Sequence, residues 1–397
     1  MPSESLPRAL PGWLLLMGAV TAIGPFSIDM YLPAFPAIAG GLGVERGEVE
    51  RTLAAYLAGM ALAQIVYGPL ADRYGRKLPM QLGLLMYVLA SVGCALAGSI
   101  EALTLGRLAQ AMGGAAGVVI PRAVIRDHYG TQDAARALSL LMLIMGVAPI
   151  LAPLVGAQLL AFVGWRSLFW VMAALGLAML LAVRLTMRES LKPERAVPLR
   201  WNTILSNYGA LLEHRGFMAH SLAGGLGQAG MFAYIVGSPR VFIEIYGVAP
   251  EYYGLLFGAN AAALIIGSQV SARLLRRLPP PLLQRRAQSA LAAASLAAFV
   301  LAVFGLMSLP VLMLCLVCYM FSQGFVNPNS AALALAEQGG RLGAASALLG
   351  TLQLSCGALA GLAISAWQSD SATPLATVLA CCACLSWLCG RIARRAA

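Results

Sequence analysis

Charge is scarce in this chain. Only 11% of its 397 residues are Asp, Glu, Lys or Arg, while 60% are hydrophobic. Soluble domains carry roughly a quarter charged residues, so a water-facing globule is excluded. Several catalytic strings are missing as well. There is no Gly-x-Ser-x-Gly elbow and no His-Glu-x-x-His pair, which argues against the common hydrolytic enzymes. No Gly-Lys dipeptide occurs, so there is no Walker loop, and any transport must draw on an ion gradient. No cofactor is expected. The eight cysteines (Cys94, Cys315, Cys318, Cys356, Cys381, Cys382, Cys384, Cys389) all fall in apolar blocks. No histidine or carboxylate accompanies them there, so they read as small packing residues, with neither a metal nor a disulfide.

What the chain has instead is long apolar runs. Twelve occur, near residues 12–37, 50–71, 79–99, 101–122, 136–161, 164–186, 216–243, 251–274, 287–307, 309–335, 342–367 and 372–392. About twenty apolar residues in a helix cross ~30 Å of hydrocarbon. Lipid offers the backbone no hydrogen bonds, so such runs must be helices, and they lack the alternation of a barrel strand. The first run is too long for a signal peptide and carries Asp29, Pro33 and Pro36, which predicts a retained helix.

Lys and Arg alternate between the loops. One side holds Arg8, Arg73, Arg76, Lys77, Arg122, Arg126 and Arg136, then the arginines of 184–215 and 273–286, and finally Arg341 and Arg391–Arg395. The other side holds Arg46, Arg51, Arg166 and Arg240, and Arg107 lies within a helix. The positive-inside rule makes the basic side cytoplasmic, with both termini on it. The net charge of +11 therefore reports topology in a lipid bilayer, and no nucleic acid is implied. The longest polar interruption, 187–214, divides six runs from six. This predicts an all-α polytopic membrane protein of two six-helix bundles, 1–186 and 215–397, joined by a cytoplasmic linker, 187–214, with a site between them. The loop GPLADRYGRK (68–77) has a degraded echo in SARLLRRLPP (271–280), which supports internal repetition.

GPLADRYGRK resembles the loop signature of the major facilitator superfamily, with Gly68, Asp72, Arg73, Gly75, Arg76 and Lys77 in its places. LGRLAQAMGGAAG (105–117) resembles that family's arginine-bearing fourth-helix motif. GVAPILAPLVGA (146–157) is similar to its antiporter motif through Gly146, Pro149, Pro153 and Gly156. DMYLPAFP (29–36), PRAVIRDHYG (121–130) and APILAP (148–153) narrow the resemblance to the drug:proton antiporters of the bicyclomycin/chloramphenicol-resistance type. The resemblance implies the superfamily fold, a bacterial inner-membrane location, action as a monomer, and a conformational latch at the 68–77 loop. Arg122, Arg126 and Asp127 are expected to join that latch through ion pairs that form and break. It further implies proton-coupled efflux of small amphipathic compounds, amphenicol-like or bicyclomycin-like, by alternating access. A specific metabolite exporter or a proton symporter of the same fold stands as the alternative.

The two intramembrane charges carry the mechanism. An ionised carboxylate at a helix centre costs roughly 2.5–3.5 kcal/mol even on permissive scales, so Asp29 must face a cavity, a partner or a proton. Counting along the first and fourth helices puts Asp29 and Arg107 each ~9 Å below the outer face. Asp29 is accordingly expected to be the protonation site, with Arg107 tuning it. Tyr31, Tyr56, Gln64, Gln228, Tyr234, Asn327 and Gln353 are expected to line a mostly apolar substrate cavity.

Overall fold

The structure is a computed structural model that describes residues 11–129, 131–191, 201–336, 338, 342–367 and 369–396. All twelve apolar runs are helical. The first run is broken into α1 (Gly12–Asp29), a 3₁₀ turn (Leu32–Ala34) and α2 (Phe35–Leu42). Proline explains the position of the break. Pro33 has no N–H to give to the Asp29 carbonyl, and Pro36 has none for that of Leu32, so the helical ladder fails just past Asp29. Then follow α3 (Arg46–Tyr74), α4 (Lys77–Ala95), α5 (Ile100–Gly114), α6 (Ala116–His128), α7 (Thr131–Val163) and α8 (Arg166–Thr186). The hydroxyl of Ser99 caps α5 by accepting the Ala102 N–H at 3.3 Å. Together α5 and α6 make the fourth span.

The linker contains a helix that its polar composition concealed, α9 (Trp201–Glu213), and its stretch 192–200 lies outside the described residues. The second set is α10 (Arg215–Pro239), a π-helical turn (Arg240–Ile245), α11 (Pro250–Leu274), α12 (Pro280–Val303), α13 (Leu309–Leu335), α14 (Leu342–Ala366) and α15 (Thr373–Ala396). Among the described residues ten helical segments are long and apolar enough to cross a membrane. The other two runs are filled by α7, with its apolar stretch Val147–Val163, and by the 25-residue α10.

The same neighbours recur in both sets. In the first, α3 packs on α5, α4 on α5 and α8, and α1 on α6, α7 and α8. In the second, α11 packs on α13, α12 on α13 and α15, and α10 on α13, α14 and α15. Counted as spans, these pairs correspond one for one, so the chain is two copies of one six-helix arrangement. Equivalent crossings even share a device. A β-carbon on Gly59 of α3 would lie 2.5 Å from the Leu108 carbonyl of α5, and one on Gly267 of α11 would overlap the Phe321 carbonyl of α13. Membrane helices lack a hydrophobic force between them and rely on such close backbone approach. The two sets meet along two walls, α3 against α14 and α7 against α11.

Gly267→Val should therefore force α11 off α13. A cost of about 1–3 kcal/mol is expected from overpacking, seen as a lowered midpoint of thermal unfolding in detergent. An unchanged midpoint would contradict this packing.

Candidate functional site

The centre of the molecule holds a cavity of about 310 Å³, lined by both halves. The first half supplies Asp29, Gln64, Arg122 and Pro149; the second supplies Gln228, Tyr234, Asn260 and Gln353. Much of the remaining wall is Met60, Met145, Met231, Phe232, Phe257 and Met320. Soft thioethers and aromatic rings make a wall that adapts to varied apolar shapes.

Asp29 sits at the last residue of α1, 3% exposed, on this wall. Among the described residues its carboxylate makes no hydrogen bond and no ion pair. It lies within electrostatic range of Tyr56 in its own half and of Tyr234 and Tyr253 in the other. Gly156 of α7 lets the chain break come close, because a β-carbon there would overlap the Met30 carbonyl. Of the antiporter-motif residues, Pro149 reaches the cavity, Pro153 lies inside α7 with it, and Gly146 falls where α7 is described by its backbone alone.

Arg107 does not stand against Asp29 as a partner. It is fully buried. Its Nη2 donates to the Ser27 carbonyl at 3.0 Å and its Nη1 to Gln110 Oε1 at 2.6 Å. The guanidinium carbon lies 4.5 Å from the Tyr31 ring centre and 4.2 Å from that of Tyr56. Gln110 in turn donates to Ser91 Oγ at 2.7 Å. The depth match of the two charges did not extend to direction. Two residues along a helix turn it by about 200°, so Arg107 holds α1 at Ser27 while Asp29 faces away.

The tyrosines move with it. Tyr31 and Tyr56 are buried inside the first bundle around Arg107, and neither lines the cavity; the Tyr31 hydroxyl bonds Thr52 Oγ1 at 2.8 Å. Asn327 stands behind the wall, accepting from Gln353 Nε2 at 3.0 Å. Gln64, Gln228, Tyr234 and Gln353 are where they were expected. Asn260 was missed, although a lone Asn inside the apolar run 251–274 carried the same signal as the glutamines.

The 68–77 loop builds a second cluster at the basic face. Arg76 pairs with Asp72 at 2.5 Å and with Asp127 at 2.9 Å. Ser190 Oγ donates to the same Asp127 oxygen at 2.9 Å. Gly75 has φ +87°, and the chain turns there so that the N–H groups of Arg76 and Lys77 meet Glu189 at 2.8 and 3.0 Å. The Lys77 ammonium donates to the Arg184 carbonyl at 3.0 Å. Arg73 is exposed, Arg126 donates to the Arg122 carbonyl at 3.3 Å, and Gly68 faces open space rather than a helix. Arg122 belongs to the cavity and takes no part in these ion pairs. Among the described residues, every partner in the cluster precedes the linker helix α9, so in this form it ties the first half to the start of the linker. Sequence reading missed Glu189 and Ser190, which lie at the start of the linker, before α9, and carry no motif.

At the opposite face the halves are joined directly. Arg46, at the start of α3, pairs with Glu244 of the π-helical turn at 2.7 Å. The 3₁₀ turn after Asp29 also packs on α10 and α11.

Two outcomes follow from these clusters. Burial pushes the Glu189 carboxyl up, but the N–H groups of Arg76, Leu191 and Lys77 outweigh it and hold it below its ordinary 4.5. A depressed value means that the tie is fully present above pH 4.5 and is lost as pH falls through the folded-state value. Glu189→Gln should imitate that loss, with faster amide exchange at 75–78 at neutral pH; unchanged exchange would remove Glu189 from the loop's support. Separately, Arg46→Glu should raise labelling of a cysteine placed in the cavity from the face opposite the basic one, and the swap Arg46→Glu with Glu244→Arg should restore protection. Equal labelling in all three proteins would deny this pair a part in closure.

Comparison with known proteins agrees with this architecture. Residues 17–361 match the family model described as Major Facilitator Superfamily. An uncharacterized MFS-type transporter, YdgK, of Bacillus subtilis (strain 168) is 34% identical over 92% of this chain and 90% of its own. A bicyclomycin resistance protein homolog of Haemophilus influenzae is 29% identical, covering 95% and 94%. The multidrug resistance protein MdtL of Escherichia coli O45:K1 is 31% identical, covering 90% of each chain. Among solved structures, a bacterial homolog of the human lysosomal transporter Spinster, inward-facing and occupied, superposes with a TM-score of 0.75 at 17% identity over 97% and 96%. The D-xylose–proton symporter gives 0.71 at 13% over 96% and 97%. The repeated helices, the matched motifs and these relatives together make the chain a transporter, a multi-pass protein of the bacterial inner membrane and a member of the Major Facilitator Superfamily.

Proposed function

We propose that the protein exports small amphipathic, drug-like compounds in exchange for protons, with Asp29 as the protonation site. One observation carries this reading: a buried carboxylate without a hydrogen-bond or ion-pair partner among the described residues stands on the wall that the two halves share. A bare ionised carboxylate is costly there. It must be neutralised by a proton or by the cargo's own donor groups, and the two compete for the same oxygens. Competition of that kind is what exchange requires, provided that only one of them is carried in each direction.

Arg107 acts on this site by placing it. Held by Ser27 and the two tyrosine rings, it fixes the last turn of α1, so that Asp29 faces the cavity and has no cation against it. The positive-inside rule makes the basic face cytoplasmic. With Arg46 and Glu244 joined on the far side, this form takes up cargo from the cytoplasm. Opening the far side then presents Asp29 to protons outside, and protonation releases the cargo. Drug-like cargo is favoured by the adaptable apolar wall and by relatives whose names refer to bicyclomycin and multidrug resistance.

Asp29→Asn keeps the shape and removes the titrating proton. The variant should reach the membrane in normal amounts and stay folded. Purified, it should release no protons on addition of a bound compound, and cells carrying it should be as drug-sensitive as cells without the transporter. Full resistance with normal proton release would refute the assignment.

A further inference from the structure

The two ends of the cavity offer different polar groups. Asn260 is 1% exposed and lines the cavity. Its Nδ2 donates to the Leu256 carbonyl at 3.0 Å and to the Tyr234 hydroxyl at 3.1 Å. A backbone carbonyl can only accept, so this bond fixes which way the amide is turned. Its Oδ1 is left buried with no donor. Gln228 Oε1 is likewise buried with no donor. With the Asp29 carboxylate, three acceptors in one cavity lack donors from the protein. Buried acceptors left unpaired are expensive, and natural interiors rarely tolerate them.

The other end has the opposite character. Arg122 lines the cavity and, among the described residues, its guanidinium has no carboxylate or carbonyl partner. Gly24 of α1 abuts Val118 of α6. Asp29 lies five residues beyond Gly24 toward the far face, and Arg122 four beyond Val118 toward the basic face. At 1.5 Å per residue the two ends are about 13 Å apart. Between them the wall is mostly methionine, phenylalanine and leucine, with Gln64, Gln228 and Gln353 set into it.

We infer that this cavity selects elongated amphipaths that carry hydrogen-bond donors, ammonium, hydroxyl or amide N–H, at the end that enters first, and an anionic or strong acceptor group at the trailing end. The leading donors satisfy Asn260 and Asp29, a donor farther along meets Gln228, the trailing group meets Arg122, and an aromatic or aliphatic middle fills the mostly apolar belt. The volume of about 310 Å³ suits a small molecule of this kind. Compounds with a donor at neither end leave the deep acceptors unpaired and are rejected by that cost, as sites built around hydrogen bonds reject analogues that lack them. This inference rests on the transporter reading of the cavity but not on proton exchange at Asp29.

The test is equilibrium binding to the full-length protein in detergent, with no gradient, read by tryptophan fluorescence or calorimetry. The probes are an aminobutyl-benzoic acid with its charges at opposite ends, its methyl ester, and the butylbenzoic acid that lacks the amine. The two-ended probe should bind about tenfold tighter than either relative, the consequence of one good charge-assisted contact at each end. Arg122→Gln should erase its advantage over the ester alone. Asn260→Leu should erase its advantage over butylbenzoic acid alone, and Gln228→Leu should reduce the same preference if the Asn260 variant does not fold. Equal binding of the three probes, or no binding of the two-ended one, overturns the inference. Loss of proton release in Asp29→Asn with these preferences absent would sink only the cargo class. Preferences intact with proton release unaffected by Asp29→Asn would sink only the coupling.

Discussion

A guanidinium cannot be left bare in a hydrocarbon interior, and the first half of this protein is arranged around that constraint. Arg107 is wholly enclosed. With no carboxylate against it, it is held by the Ser27 carbonyl, the Gln110 amide and two tyrosine faces, while its Nε has no hydrogen-bond partner among the described residues. Each cation–ring contact is worth roughly 0.5–2 kcal/mol when desolvated, so together they replace much of what an ion pair would supply. The arrangement binds α1, α3 and α5 into one unit. It also leaves the nearby acid uncommitted, and an uncommitted buried acid is what a proton-exchanging site needs.

The break after α1 follows from the same economy. Proline at 33 and 36 ends the helix where Asp29 leaves it, and the 3₁₀ turn beyond packs on the second half. The acid thus stands beside the one element of its helix that touches both halves. Movement of one half against the other must alter its surroundings, which gives the carboxylate two environments without any change in its own bonds. The far-face pair Arg46–Glu244 and the basic-face cluster around Arg76 differ in kind. The first joins the halves, while the second ties the first half to the start of the linker through Glu189 and Ser190.

Much of this was legible in the residues, and the boundary of legibility has a physical form. Twelve spans could be read because lipid demands about twenty apolar residues per crossing. The depth of Asp29 and Arg107 could be read because a helix rises at a fixed rate. Direction could not be read: the helical angle of a residue is known only relative to its own helix, and which face meets the cavity depends on tilt and neighbours. Tyr31 and Tyr56 therefore passed for cavity residues when they are the walls of the Arg107 enclosure, and Arg122 passed for a latch residue when it reaches the cavity. Asn327 was right in depth and one layer too far back. Asn260 was missed although its type and run were enough to raise it. Glu189 gave no signal, because its partners are backbone N–H groups, which carry no side-chain signature.

The different polar groups at the two ends of the cavity would give the two charges complementary work. Had Arg122 stood beside Asp29, the pair would have satisfied itself, and neither cargo nor proton would have been needed to neutralise the acid. Held at opposite ends of a mostly apolar belt, each charge would, on the proposed reading, be available to a different part of the cargo. On the proposed reading, the separation would let a single cation serve the mouth of the cavity without suppressing protonation at its depth, since the field of a charge about 13 Å away is a small fraction of that at contact. Under the proposed exchange, selection and coupling would fall on different residues within one enclosed space: the belt and its two ends would choose the molecule, while the Ser27 contact of Arg107 keeps that cation off the acid.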